Sequence, residues 1–173
     1  VMDTHVTHAH ATGGYGARRR SCEAGAEAMG VPSLRALTED DLPAAQDALD
    51  DETFRRVRHV ITENARVIET AEVLREHGPR AIGDLLLASH ASMRDDFEIS
   101  VPELDLAVET AMAHGAIGAR MTGGGFGGSA IALIPVERLA EASDAVVAAF
   151  SEAGFTAPTT FTVTPSAGPR RDS

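Results

Sequence analysis

Cysteine is nearly absent from this sequence: Cys22 stands alone among 173 residues. It cannot close an internal disulfide, which suits a reducing, cytoplasmic setting. Long apolar runs are also missing, and no stretch approaches the roughly 18 consecutive apolar residues that suggest a membrane span. No membrane partner is expected. Positive charge is scarce, because 15 Lys and Arg against 26 Asp and Glu leave a net charge of -11. That balance matches a polyphosphate backbone poorly, so nucleic acid is not an expected partner either. The first residue is Val1, with neither an initiator Met nor a basic-then-apolar leader pattern, and the sequence reads as a piece of a longer protein.

What the sequence does have is 43% hydrophobic residues, enough for one sizeable core and hardly for two. A single domain over 1–165 with a polar tail over 166–173 is expected. β-branched residues in VMDTHVT (1–7) predict a strand, followed by a turn at Gly13-Gly14 and a helix from Ala17 to Gly30. Thr38 with Asp41 resembles a capping box for a short helix. Asp51 can cap a long helix whose apolar residues Phe54, Val57, Ile61, Ile68, Ala71 and Leu74 keep helical spacing. Gly78-Pro79 ends it. A helix through AIGDLLLASHASM and another through ELDLAVETAMAH, capped by Ser100 with Glu103, should follow and stop at Gly115. IGARMT and SAIALIPV read as strands, Glu137 to Ala153 as a last helix, and TTFTVTP as a closing strand. This order predicts an α+β fold, with helices layered on a mostly antiparallel sheet.

Between the two middle strands, TGGGFGGS packs five glycines into six positions: Gly123, Gly124, Gly125, Gly127 and Gly128, interrupted by Phe126. Gly123, Gly125 and Gly128 formally satisfy G-x-G-x-x-G, but that dinucleotide fingerprint must open a helix, and here a strand follows. A P-loop would need Lys and then Ser or Thr after the last glycine, whereas Ser129 and Ala130 stand there. A plain hairpin needs one or two glycines. Five of them let the backbone approach another group closely and aim several N–H donors at it, an anion or a neighbouring phosphate loop being the natural candidate.

GARMTGGGFGGSAIAL resembles the third signature motif of the GHMP small-molecule kinases, the glycine-rich hairpin loop of their C-terminal domain. SHASMRDDFEISVPELD (89–105), RRVRHVITENARV (55–67), YGARRRSCE (15–23) and TPSAGPRR (164–171) resemble the galactokinases within that family. The resemblance implies the C-terminal half of a kinase that moves the γ-phosphoryl of ATP to the anomeric hydroxyl of galactose with Mg²⁺. Two earlier family motifs do not occur in this sequence. The first supplies sugar contacts and a charge-stabilising Arg, and the second wraps the ATP phosphates and precedes the catalytic aspartate. No catalytic residue is therefore expected here. ATP and Mg²⁺ would be bound mainly by an N-terminal half of the same enzyme, whose phosphate loop Gly123 to Gly128 would face. That half should cover a partly apolar face of this one. The resemblance further implies that Tyr15, the only tyrosine, contacts galactose. It stands between Gly14 and Gly16, where the family more often has Glu or Ser and Pro. A kinase for arabinose or galacturonate and a non-catalytic galactose and ATP sensor are the other readings.

Three further constellations carry less. His5, His8 and His10 suggest a metal site, but no cysteine or second cluster supports one, and solvated or interdomain histidines are expected. Arg94, Asp95 and Asp96 read as an ion network rather than a catalytic carboxylate pair. Arg18, Arg19 and Arg20 form the densest positive patch and read as a solvated helix face, with some of them able to face ATP.

Overall fold

The computed structural model describes residues 1–7, 11–164, 166 and 168. Its sheet is antiparallel throughout, in the order β2 (Gly118–Thr122), β3 (Ser129–Leu133), β1 (Met2–Asp3) and β4 (Thr159–Thr160). The helices are α1 (Ala11–Ala28), α2 (Leu42–Ala48), α3 (Asp51–His77), α4 (Gly83–Asp95), α5 (Pro102–Ala113) and α6 (Leu139–Glu152). Alternation along β2 and β3 puts Ala119, Met121, Ala130 and Ala132 on one face. There Met121 and Ala130 join the core that Leu104, Ala107 and Val108 of α5 and Val146 and Phe150 of α6 complete. A second cluster, with Ala26 of α1, Leu34, Ala45 of α2, and Val57 and Ile61 of α3, holds α1 and α2 to the long helix.

Helix ends follow from local chemistry. The Asp50 carboxylate accepts the Thr53 N–H at 2.9 Å and so caps α3, while Asp51 and Glu52 complement the positive end of the helix dipole. The cap is thus one residue earlier than the sequence predicts. Thr38 and Asp41 do form a capping box, though over a single 3₁₀ turn (Glu39–Asp41). Ser100 does not cap α5; its hydroxyl donates instead to Asp105 Oδ1 at 2.5 Å, and Pro102 opens the helix.

The largest departure is at the N-terminus. The predicted strand over 1–7 pairs only at Met2 and Asp3, and the predicted turn at Gly13-Gly14 lies inside α1, which begins at Ala11 rather than Ala17. Tertiary packing overrides the low helix propensity of Gly13, Gly14 and Gly16. The closing strand is likewise short, with only Thr159 and Thr160 paired. α4 starts at Gly83, after a 3₁₀ turn over Pro79–Ile82, and α6 starts at Leu139, after another over Val136–Arg138.

β2 is an outer strand, and α4 covers its open edge. Gly83 lies against Gly118, where a methyl would stand 2.7 Å from the Gly83 Cα. The Met121 N–H donates to His90 Nδ1 at 3.2 Å, so a side chain satisfies a strand donor that would otherwise be orphaned.

Candidate functional site: the corner where Tyr15 meets the glycine loop

Because α1 begins at Ala11, Tyr15 and Arg18 fall one turn apart on the same helix face. Both point at the glycine loop. The Tyr15 ring meets Phe126 edge-to-face, with centroids 5.4 Å apart and planes at 76°. The Tyr15 hydroxyl lies against Gly124, where an added methyl would stand 2.2 Å from the phenolic oxygen. Any side chain at Gly124 would displace the phenol. Tyr15 keeps 45% of its surface exposed, so the ring still faces solvent beside the loop.

The loop joining β2 and β3 is stapled on two sides. Phe126 donates its N–H to the Ile99 carbonyl at 2.6 Å. Gly128 donates to the Val6 carbonyl at 3.0 Å, and its own carbonyl accepts from the Thr4 N–H and the Thr4 hydroxyl at 3.0 and 2.7 Å. Gly125 has φ +83°, and a methyl there would stand 2.5 Å from the Ile99 carbonyl oxygen. Only glycine meets both demands. Among the described residues the N–H groups of Gly123 and Gly124 have no hydrogen-bond partner, which leaves donors open at the tip of the loop.

Arg18 ties the corner together. Its Nε and Nη2 donate to the carbonyls of Phe97 and Glu98 at 2.9 and 2.6 Å, and its guanidinium lies 5.2 Å from the Phe126 ring centroid. Arg19 pairs with Glu23 at 2.8 Å on the exposed side of the helix. The predicted solvated face therefore holds for Arg19 but not for Arg18, which braces the structure. Arg18 and the packing of Phe126 on Tyr15 are what the sequence reading missed. The three-residue spacing of Tyr15 and Arg18 would have signalled a shared face, had the glycines around Tyr15 not read as a turn.

The SHASMRDD segment, the most specific of the motifs, lies elsewhere. Its polar residues fill a seam between α3 and α4. Ser89 donates to Glu63 Oε2 at 2.7 Å, Glu63 also pairs with Arg66, and Arg120 Nη1 stands 3.8 Å from it. Ser92 bridges His59 Nδ1 at 2.9 Å and Asp96 Oδ2 at 3.1 Å, and Asp96 pairs with Arg58. Burial pushes the His59 ring down to about 4, and Phe97 stacks on it at 4.4 Å. Burial also pushes His90 down, and its Nε2 faces Asp105 Oδ1 at 3.2 Å without the alignment of a hydrogen bond. Buried Arg56 donates to Glu98 Oε2 at 2.5 Å and to the Asp96 carbonyl at 2.8 Å, which holds the Glu98 carboxyl below the usual range.

The Arg94/Asp95/Asp96 run divides between two networks. Arg94 and Asp95 pair with each other at the exposed end of α4, at 2.8 and 3.1 Å, while Asp96 belongs to the seam. His5 Nε2 shares a hydrogen with Thr159 Oγ1 at 2.8 Å; His8 and His10 lie outside the described residues. Among the described residues no three His, Cys, Asp or Glu side chains converge as a metal site, and no helix is long and apolar enough to cross a membrane. A groove of about 520 Å³ beside α1, lined by Arg19, Cys22, Ala26, Leu34 and Val60 among others, includes neither Tyr15 nor the glycine loop.

Comparison with known proteins shows what the chain resembles. The model described as GHMP kinases C terminal matches residues 70–154, a segment that includes the glycine loop. A galactokinase of Streptomyces coelicolor is 53% identical over 99% of this chain and 45% of its own length. The human galactokinase is 47% identical over 78% of this chain and 34% of its own. The chain thus spans less than half the length of the curated relatives it matches. Among solved structures, the Lactococcus lactis galactokinase complexed with galactose superposes with a TM-score of 0.86 at 32% identity, covering 91% of this chain and 42% of that one. The helices and the antiparallel sheet predicted from sequence match that structure, and residues 70–154 carry the C-terminal domain of the GHMP kinases.

Proposed function

We propose that this chain is the C-terminal half of a galactokinase and builds one wall of its cleft. In this reading the Tyr15 hydroxyl hydrogen-bonds a galactose hydroxyl while its ring covers an apolar face of the sugar. The loop from Gly123 to Gly128, Phe126 included, shapes the phosphate site, and the open N–H groups of Gly123 and Gly124 meet phosphate oxygens. One observation carries the reading: the phenol lies against Gly124 with no room for a side chain between them. Phosphoryl transfer needs acceptor and donor to be neighbours in line, and here a sugar-contacting group and a phosphate loop share a corner.

The γ-phosphoryl would pass to the anomeric oxygen as its bond to the β,γ-bridging oxygen breaks, giving galactose 1-phosphate and ADP. The sugar hydroxyl's proton would go to a base on the N-terminal half, the partner that completes the site in a cytoplasmic enzyme. Mg²⁺, which the family would use to neutralise phosphate charge, would be held mainly by the N-terminal half; among the described residues no three His, Cys, Asp or Glu side chains converge on a site for it.

The test is ADP release. The longer polypeptide carrying this chain should turn over ATP when galactose is added, residues 1–173 alone should not, and mixing them with a separately made N-terminal half should restore turnover. Activity of residues 1–173 alone would contradict the placement of the base. A preference for arabinose or galacturonate would contradict the substrate, and galactose binding without turnover would make the protein a sensor.

A further inference from the structure

Phe126 interrupts the glycines in an unusual way. It holds a left-handed backbone, φ +63°, which costs a bulky residue more than a glycine. A sixth glycine would carry no such strain, so the ring has to act. It is enclosed on three sides: Tyr15 meets it edge-on at 5.4 Å, the Arg18 guanidinium covers it at 5.2 Å, and Gly14 lets α1 close over its far end. A methyl on Gly14 would stand 2.5 Å from Phe126 Cζ. Gly14 and Phe126 therefore fit as a pair. The backbone of Phe126 is fixed as well, by its N–H bond to Ile99, and Arg18 anchors the same 97–99 turn through two carbonyls. A shift of the ring toward α1 would press on Tyr15, and a shift of the loop at Phe126 would carry the ring with it.

We propose that Phe126 is a positioning residue that couples the phosphate loop to the sugar-contacting helix, so that nucleotide on one side and galactose on the other raise each other's affinity. The proposal rests on the galactokinase reading of the same corner. Neither substrate needs to touch the ring. Loop donors engaged by phosphate would fix Phe126, which would fix the Tyr15 rotamer and remove part of the ordering cost of sugar binding. Linkage requires the same factor in both directions.

The test is calorimetric titration of the longer polypeptide with galactose, with and without a non-hydrolysable ATP analogue, and of the analogue with and without galactose. The parent protein should show about fivefold or greater mutual tightening, equal in both directions. Phe126→Leu should bring that factor close to one. Gly14→Ala, which presses on the ring from α1 without substituting any residue of the loop or Tyr15 itself, should also lower it. A parent without mutual tightening, or a Phe126→Leu protein with the parent's factor, would overturn the coupling. No galactose binding under any condition would instead overturn the galactokinase reading and the coupling with it. In residues 1–173 Tyr15 is the only tyrosine and tryptophan is absent, so near-ultraviolet circular dichroism reports the contact directly. An unchanged tyrosine signal in Phe126→Leu would count against the clamp.

Discussion

The seam between α3 and α4 is far richer in charge than the corner where Tyr15 meets the glycine loop, yet the corner is the better site. In the seam most of the charged and polar side chains are spent on one another, Glu63 on Arg66 and Ser89, Asp96 on Arg58 and Ser92, His59 on Ser92, with the buried His90 Nε2 the exception. The corner has few side chains, leaves backbone donors unspent, and keeps a phenol half exposed. Satisfied polar groups hold structure, whereas open ones are ready to hold a ligand. The sequence motif with the densest chemistry is therefore scaffolding, and the one made of glycine is the candidate site.

Removing a carboxylate from the seam should give the largest effect, and on stability alone. Glu63→Leu leaves Arg66 and Arg120 facing each other without their shared counter-charge, and breaking such a partly buried network costs about 3 kcal/mol. A thermal melt of residues 1–173 should shift down by roughly 10 °C, while the galactose and ATP KM values of the longer polypeptide stay put. A moved KM would make the seam part of the site.

The corner should behave the opposite way. Gly125→Val places a β-branched side chain at φ +83° against the Ile99 carbonyl, and a displaced loop should lower kcat/KM for ATP by about 100-fold, or about 2.7 kcal/mol. Gly124→Val separates from it. From sequence alone, both valines should damage ATP kinetics more than galactose kinetics. The structure divides them, since a side chain at Gly124 strikes the Tyr15 phenol directly and should raise the galactose KM more than Gly125→Val does. Equal effects of the two valines on galactose would mean that the phenol is not placed by Gly124.

Much of this was legible in the sequence because it is local. Helical spacing gave α3, the glycines gave the hairpin, and the small-residue runs gave β2 and β3. What escaped was set by distant partners. Gly13, Gly14 and Gly16 argue for a turn by propensity, and α1 runs through them. Gly14 there admits Phe126, a residue 112 positions further along the chain. The same misreading hid Arg18, which looks like one of three solvated arginines until the helix is seen to start at Ala11. The split of Arg94-Asp95 from Asp96 was equally hidden, because sequence adjacency does not reveal which way a helix end turns each carboxylate.

The smallest change bears most directly on the central claim, that the corner is where sugar and phosphate meet. Tyr15→Phe keeps the ring that packs on Phe126 and removes only the hydroxyl beside Gly124. Losing one partner of a sheltered hydrogen bond costs about 1–3 kcal/mol, so the galactose KM of the longer polypeptide should rise about tenfold or more, with the ATP KM and the melting temperature unchanged. A galactose KM equal to that of the parent would remove Tyr15 from the site and leave the glycine loop as a hairpin turn beside a helix.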